Sequence, residues 1–428
     1  MFKRFVQKKL ESYVRAYFKA HPEVRLIAVG GSVGKTSTKT AIATVLAKSL
    51  RVRMEDSNHN THLSAPLGIL GITYPENVHG VIAWLQVFRA AKKRIHQPSD
   101  VDVIVQELGT DHPGEIAHFG TYLKPFLGVV TAVTPEHMEF LGSIETVAQE
   151  ELTLANFSQA ALINRDDIDG RFSQYLTNPE VNTYGTTGSA EYRIEVKDFD
   201  INHGYEAYFY APDLKEGVVA NVRVLGEHSL RPVAAAVAVA LKLGMDIRVV
   251  AEAVEDIVAV NGRMNVLRGV QDSILIDDTY NSSPASASAA LQTLYNLQAP
   301  QRIAILGDMN ELGSSSQTEH ETLGTLCDPS LLAWVVTIGP ESEKYLAPAA
   351  RARGCQVKSF RSALQAGGFV NGVVESGAVV LAKGSQNNVY AEEALKILLH
   401  ETSDDHQLVR QGAQWQQTKE KFFGNLTE

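Results

Sequence analysis

A chain of 428 residues is long enough for two or three domains, each with its own core. Its 44% hydrophobic and 21% charged content is that of an ordinary globular protein, and a formal net charge of −10 argues against a nucleic acid held on a broad basic surface. Two cysteines, Cys327 and Cys355, give neither a metal-ligand spacing nor a disulfide framework, and no apolar run is long enough to span a bilayer, so the cytoplasm is the expected compartment.

The first predicted element is a helix. Phe2, Phe5, Val6, Leu10, Tyr13, Val14, Tyr17 and Phe18 recur at helical spacing, and Lys3, Arg4, Lys8, Lys9, Arg15 and Lys19 fill the other face. A basic amphipathic helix of this kind could lie on an anionic membrane. Packing against its own domain is the favoured reading. Next comes a short buried strand, Leu26–Val29, running into Gly-Gly-Ser-Val-Gly-Lys-Thr. Gly30, Gly31 and Gly34 free the backbone to curl around a phosphate. Lys35 can reach the terminal phosphates, and the Thr36 hydroxyl can hold Mg²⁺. Val29 stands where the full Walker pattern wants glycine, so the loop is the shorter G-x-x-G-K-T form. From Lys35 to Leu50 the apolar spacing is helical, which sets the anion on a helix N-terminus.

From Val24 to about Asn261 strands and helices alternate, as in a parallel sheet, with further strands at Val101–Glu107, Gly128–Val133 and Ala161–Ile163. Tyr192–Val196, Tyr205–Tyr210 and Val218–Leu225 read as an antiparallel insertion, and Pro232–Leu243 as an Ala-rich helix. A loop at Asn261-Gly262-Arg263 opens a second α/β series, with strands at Ile274–Ile276, Arg302–Leu306, Trp334–Ile338 and Ala378–Leu381. The polar tail from Ser403 reads as a terminal helix or a loose end.

Ligands gather at the carboxyl ends of strands in an open parallel sheet. Glu107 ends an apolar strand there, as a second oxygen ligand for Mg²⁺ beside Thr36. His137, in Thr134-Pro-Glu-His137, falls on the same edge; alone, a histidine there is more often a satisfied surface residue than a ligand. In the second series, Asp277-Asp278-Thr-Tyr280-Asn281, Gly307-Asp308-Met-Asn-Glu311 and Lys383-Gly384-Ser385 each run from a strand into a polar loop.

In this order the pieces resemble the Mur ligases, ATP-dependent amide-bond ligases of peptidoglycan precursor synthesis. The matching stretches are Gly31-Ser-Val-Gly-Lys-Thr-Ser37, Asn58-His-Asn60-Thr61 and Glu107-Leu-Gly-Thr-Asp-His-Pro-Gly-Glu-Ile116. They continue with His137-Met-Glu-Phe-Leu-Gly-Ser143, Gly226-Glu-His228, Gly262-Arg263, Asp277-Asp-Thr-Tyr-Asn281, Gly307-Asp-Met-Asn-Glu-Leu-Gly313 and Lys383-Gly-Ser385. The motifs at Glu107–Ile116 and Gly307–Gly313 set the chain beside the branch that adds D-alanyl-D-alanine to a UDP-muramoyl-tripeptide.

The resemblance implies an α/β fold in three parts: the helix over 1–22, a parallel-sheet ATPase domain with its antiparallel insertion over 23–262, and a Rossmann-like domain over 263–428. It implies ATP with two Mg²⁺ ions and an acyl-phosphate intermediate, an acceptor acid, and an amino-acid or dipeptide amine. Gly31, Ser32, Gly34, Lys35, Thr36 and Ser37 would hold the phosphates. Asp278, Tyr280 and Asn281 would contact the nucleotide. Thr36 and Glu107 would hold one Mg²⁺, and His137 a second. Arg263 would meet the γ-phosphate. Glu151 falls where the family carries a carbamylated lysine, so its carboxylate is expected to stand in for the carbamate as a metal ligand, with Glu150 turned elsewhere on the helix. The arginine that usually follows the Lys-Gly-Ser motif is Gln386 here, and Gly226-Glu-His-Ser-Leu-Arg-Pro232 lacks the family's two asparagines. Few residues precede the phosphate loop. The family's UDP-gripping domain is therefore expected to be replaced by a partner protein or the amphipathic helix, or the substrate to carry no UDP. The same ATP engine on a polyglutamate or folate-like acid is the alternative, followed by a non-catalytic nucleotide-dependent scaffold.

Overall fold

The computed structural model describes residues 2–55, 60–75, 77–78, 80–201 and 203–426. Asn58 and His59 of the second matching stretch lie outside them. The chain divides into two compact units, Met1–Arg223 with Leu230–Val258, and Val224–Ser229 with Ala259–Glu428.

The first unit is built on nine strands: β1 Arg25–Gly30, β2 Val52–Met54, β3 Val103–Glu107, β4 Leu127–Val130, β5 Ala160–Asn164, β6 Val181–Gly185, β7 Tyr192–Asp200, β8 Gly204–Tyr210 and β9 Val218–Val222. They form one sheet in the order β2-β3-β1-β4-β5-β6-β7-β8-β9. From β2 to β7 neighbours pair in parallel, and β8 and β9 close the edge antiparallel. The expected antiparallel insertion is thus a continuation of the main sheet, because Tyr184 and Gly185 of β6 pair with Tyr192 and Arg193 of β7. Apart from exposed Arg25 at the start of β1, every residue of β1, β3 and β4 is buried, and most are apolar, as a sheet covered on both faces requires.

The helices of this unit are α1 Phe2–Ala20, α2 Lys35–Ala47, α3 Ala65–Leu70, α4 Val81–His96, α5 Glu115–Gly120, α6 Met138–Leu141, α7 Ile144–Phe157, α8 Leu230–Lys242 and α9 Ile247–Val254. Alanine-rich α8 packs against α2, and its small side chains let the two helices approach closely. Helix α1 belongs to this unit: Val6 and Leu10 join Leu67, Trp84 and Val87 in one cluster, while Tyr13, Val14 and Tyr17 enter the main core. Most of its apolar stripe is spent on its own domain, as favoured.

The second unit carries strands β10 Asn265–Arg268, β11 Ile274–Asp278, β12 Arg302–Gly307, β13 Trp334–Ile338, β14 Val357–Phe360 and β15 Val379–Lys383. Their order is β10-β11-β15-β12-β13-β14, parallel except for β10. Three neighbouring strands, β11, β15 and β12, therefore bring Asp278, Lys383 and Asp308 to one carboxyl edge. The tail is a helix, Ala413–Asn425. Its Lys419 is buried against Glu392 and Glu393, with Nζ 3.2 Å from a Glu392 oxygen.

Candidate active site

Strand β1 ends at Gly30, and the loop to α2 turns on two glycines with positive φ, Gly31 at 122° and Gly34 at 87°. A Cβ on Gly31 would collide with the Thr131 hydroxyl and the backbone of β4's continuation, so the loop needs glycine for space as well as for φ. Thr131 locks the turn by donating to the carbonyls of Val33 (2.6 Å) and Gly30 (3.1 Å). The Ser32 hydroxyl accepts from the Thr134 amide at 2.8 Å. Gly34 caps α2 without a side-chain partner, which leaves the first turn of the helix to receive an anion. Lys35 folds back across the loop, donating to the carbonyls of Gly31 and Ser32, with Nζ 3.7 Å from Glu136.

At the end of β3, Glu107 is buried, with its carboxylate on the Thr36 hydroxyl. Thr36 Oγ1 donates to Oε2 at 2.9 Å, Asn60 Nδ2 donates to Oε1 at 3.1 Å, and Lys39 Nζ stands 4.0 Å away. The sheet order explains the meeting: β3 lies beside β1, so the last residue of β3 reaches the first turn of the helix that follows β1. These two oxygens, hard and hydrogen-bonded to each other, are the donor set a Mg²⁺ ion takes.

His137 follows β4 and caps α6 with a positive φ of 51°. Its Nε2 is 3.5 Å from Asp111 and 3.7 Å from Glu136. Glu136 therefore stands beside both Lys35 and His137, a bridging position that nothing in the local Thr134-Pro-Glu-His137 sequence signals. Among the described residues, no three His, Cys, Asp or Glu side chains converge as a ready-made metal cage.

Glu150 and Glu151 diverge on α7 as expected, but neither is solvated. Glu151 is 4% exposed and accepts from the Gly31 amide at 2.7 Å. Burial pushes its carboxyl up to about 7, against the pull of Lys35 and the Gly31 N–H. Glu150 is 6% exposed and accepts from the amides of Gly114 (2.7 Å) and Ile116 (2.6 Å) and the Thr110 hydroxyl (3.2 Å). Glu115 accepts from the amides of Asp111 (2.8 Å) and His112 (3.1 Å). Two glutamates thus fold the Leu108–Ile116 segment into a fixed loop that presents Asp111 to His137.

In the second unit, Asp278 accepts from Lys383 Nζ at 2.6 Å, and Lys383 also donates to the Asn281 carbonyl at 3.0 Å. Arg263 lies with its guanidinium 4.3 Å from the centre of the Tyr280 ring. The backbone of this loop is pinned by Arg410, which donates to the carbonyls of Thr279 (2.6 Å) and Tyr280 (3.0 Å) while pairing with buried Glu392. Asp277 turns inward to the Gly262 amide and the Thr279 hydroxyl, and burial lifts its carboxyl to about 6. Asp308 caps the backbone at Glu341 and Ser342 rather than projecting from its loop.

The Mur ligase middle-domain profile matches residues 29–240, and the Mur ligase glutamate-ligase-domain profile matches residues 262–386. This chain belongs to the Mur ligase family. Over 331 residues it is 26% identical to the UDP-N-acetylmuramoyl-tripeptide–D-alanyl-D-alanine ligase of Bacillus subtilis, covering 77% of this chain and 66% of that one. The ligase of the same name from Mycobacterium tuberculosis is 28% identical over 323 residues, covering 73% of this chain and 58% of that one. The matches thus span less than two thirds of these relatives' own length. In fold, the chain is similar to MurF of Acinetobacter baumannii (TM-score 0.74, 22% identity, 90% of this chain and 79% of that one). It is also similar to MurF of Thermotoga maritima, solved with ADP (TM-score 0.72, 22% identity, 91% of this chain and 83% of that one). Across the family's motifs, the phosphate loop, Glu107, His137 and the Asp278–Asn281 loop all fall at carboxyl ends of parallel strands.

Proposed function

We propose that this Mur ligase joins an amine to a carboxylic acid at the expense of ATP, with D-alanyl-D-alanine or a similar amine and a peptidoglycan precursor as substrates, in the cytoplasm. The observation that carries it is the Thr36–Glu107 hydrogen bond beneath a glycine-built phosphate loop, in a chain whose two halves both match the family.

The chemistry proceeds in two steps. An oxygen of the acceptor carboxylate attacks the γ-phosphorus, the bond to ADP breaks, and an acyl phosphate forms. The amine nitrogen then attacks the acyl carbon, phosphate leaves with the C–O electron pair, and the amine loses a proton. Lys35 and the loop amides hold the phosphates where negative charge grows. Arg263 adds a positive charge in the transfer step. The loop set by Glu115 and Glu150 holds Asp111, and through it the ring of His137, in one orientation. Thr36 and Glu107 fit one Mg²⁺, which when bound neutralises phosphate charge. A second ion on His137 and Glu151 fits less well, since these side chains turn to different partners.

The test is a panel of acceptors and amines read by ADP release and by product mass. Stimulation by D-alanyl-D-alanine with a muramoyl-peptide acceptor supports the proposal. Stimulation by glutamate on a folate-like or polyglutamate acid would replace it with the second reading, and nucleotide binding without turnover with the scaffold.

A further inference from the structure

Helices α1 and α4 lie side by side and run parallel. Phe5 and Tyr13 both meet Phe88, with ring centroids 6.5 and 5.9 Å apart, and Tyr17 Oη reaches Ser99 beyond the end of α4 at 3.4 Å. The seam between them consumes Val6, Leu10, Trp84 and Val87. It leaves other apolar side chains near the N-terminal ends of both helices exposed. Phe2 is 40% exposed, Phe5 60%, Val81 59%, Ile82 74% and Leu85 51%. Single exposed apolar residues need no explanation, but five at the matching ends of two packed helices form one patch.

The surroundings of the patch are cationic. Lys3, Arg4 and Lys8 are exposed on α1, and Arg89, Lys92 and Lys93 on α4. Helix α4 contains no acidic residue, and the one acid of α1, Glu11, is buried and bound by Gln7 and His118. This positive face belongs to a chain with 49 acidic residues against 39 Lys and Arg. The local sign is opposite to that of the whole molecule.

We propose that this face docks on the surface of a bilayer containing anionic lipid. Phe2, Phe5, Val81, Ile82 and Leu85 enter the boundary between headgroups and acyl chains, and the flanking Lys and Arg meet lipid phosphates. Charge selects the occupant. A second copy would bring like charges together across a two-fold interface. A nucleic acid would take the charge and leave the apolar side chains in water. An anionic bilayer satisfies both parts of the surface. This is a narrower contact than a helix lying flat on its apolar stripe, because most of that stripe of α1 is already buried.

The experiment is co-sedimentation of the full chain with vesicles of phosphatidylcholine, with and without phosphatidylglycerol, at about 0.1 M salt. Binding is expected only with phosphatidylglycerol, and weakened at about 0.5 M salt. The double variant Phe5→Ser/Ile82→Ser removes two largely exposed side chains, losing only the edge contact of Phe5 with Phe88, and should keep a urea midpoint near wild type while its partition coefficient falls by roughly tenfold or more. Lys8→Glu/Lys92→Glu should act in the same direction without touching the apolar patch. Failure of the wild type to sediment with phosphatidylglycerol vesicles would overturn the proposal, as would undiminished binding by both variants. So would a dimer in sedimentation velocity that the Phe5→Ser/Ile82→Ser variant abolishes while vesicles are ignored.

Discussion

Replacing Glu151 with glutamine should change how stability depends on pH. The side chain is buried against the phosphate loop, and its carboxyl stands at about 7 instead of the ordinary 4.5. Ionising it in the folded protein therefore costs about 3 kcal/mol more than in the unfolded chain. The sign follows from proton counting. Below pH 4.5 the group is neutral in both states and nothing is lost. Between 4.5 and about 7 the unfolded chain releases a proton that the folded one keeps, so stability falls as pH rises through that window. Glutamine keeps an oxygen to accept from the Gly31 amide, now 2.7 Å from Glu151, and has no proton to lose. From pH 5 to pH 8 the variant should gain about 2.5 kcal/mol relative to wild type, whatever its offset at pH 5. Urea unfolding followed by circular dichroism at four or five pH values, without nucleotide, gives the difference curve. A flat difference across that range would refute the argument, because it would mean that Glu151 ionises in its burial site as easily as in water.

Lys35→Ala should lower ATP turnover by roughly a hundredfold or more while leaving the urea midpoint near wild type, as expected of a side chain that folds over its own loop. Glu150→Gln should destabilise by about 1–3 kcal/mol, because a carboxamide nitrogen would face an amide donor of Gly114 or Ile116; a denaturation midpoint matching wild type would contradict this. Arg263→Ala should lower the rate of acyl-phosphate formation far more than nucleotide affinity, read by single-turnover kinetics and equilibrium titration; equal losses would place it in ground-state binding.

The strand-loop-helix that carries Lys35 was legible in the sequence because its signals are local: an apolar run, glycines at turning points, and a helical period after them. The meeting of Thr36 and Glu107 was legible at one remove, from the rule that strand ends gather on one edge. What pairs with what was not. Val181–Gly185 is half-exposed and mixed in polarity, so β6 left no pattern, and without it β7 to β9 looked like an insertion. Strands β2, β10 and β14 are shorter still, at three, four and four residues, with a single fully buried position among them. That the two glutamates of α7 diverge follows from their adjacency on a helix, but burial of Glu150 under the Gly114–Ile116 backbone depends on a loop remote in sequence. The terminal helix was ambiguous for the same reason, since the pairing of Lys419 with Glu392 and Glu393 is long-range.

The most direct test of the central claim is ADP release by the purified chain with ATP, Mg²⁺, a UDP-muramoyl-tripeptide and D-alanyl-D-alanine, alongside reactions lacking one component. The account predicts release that requires both the acceptor and the dipeptide, with a product heavier than the acceptor by one dehydrated dipeptide. Release indifferent to the dipeptide, or no new product mass, would contradict it.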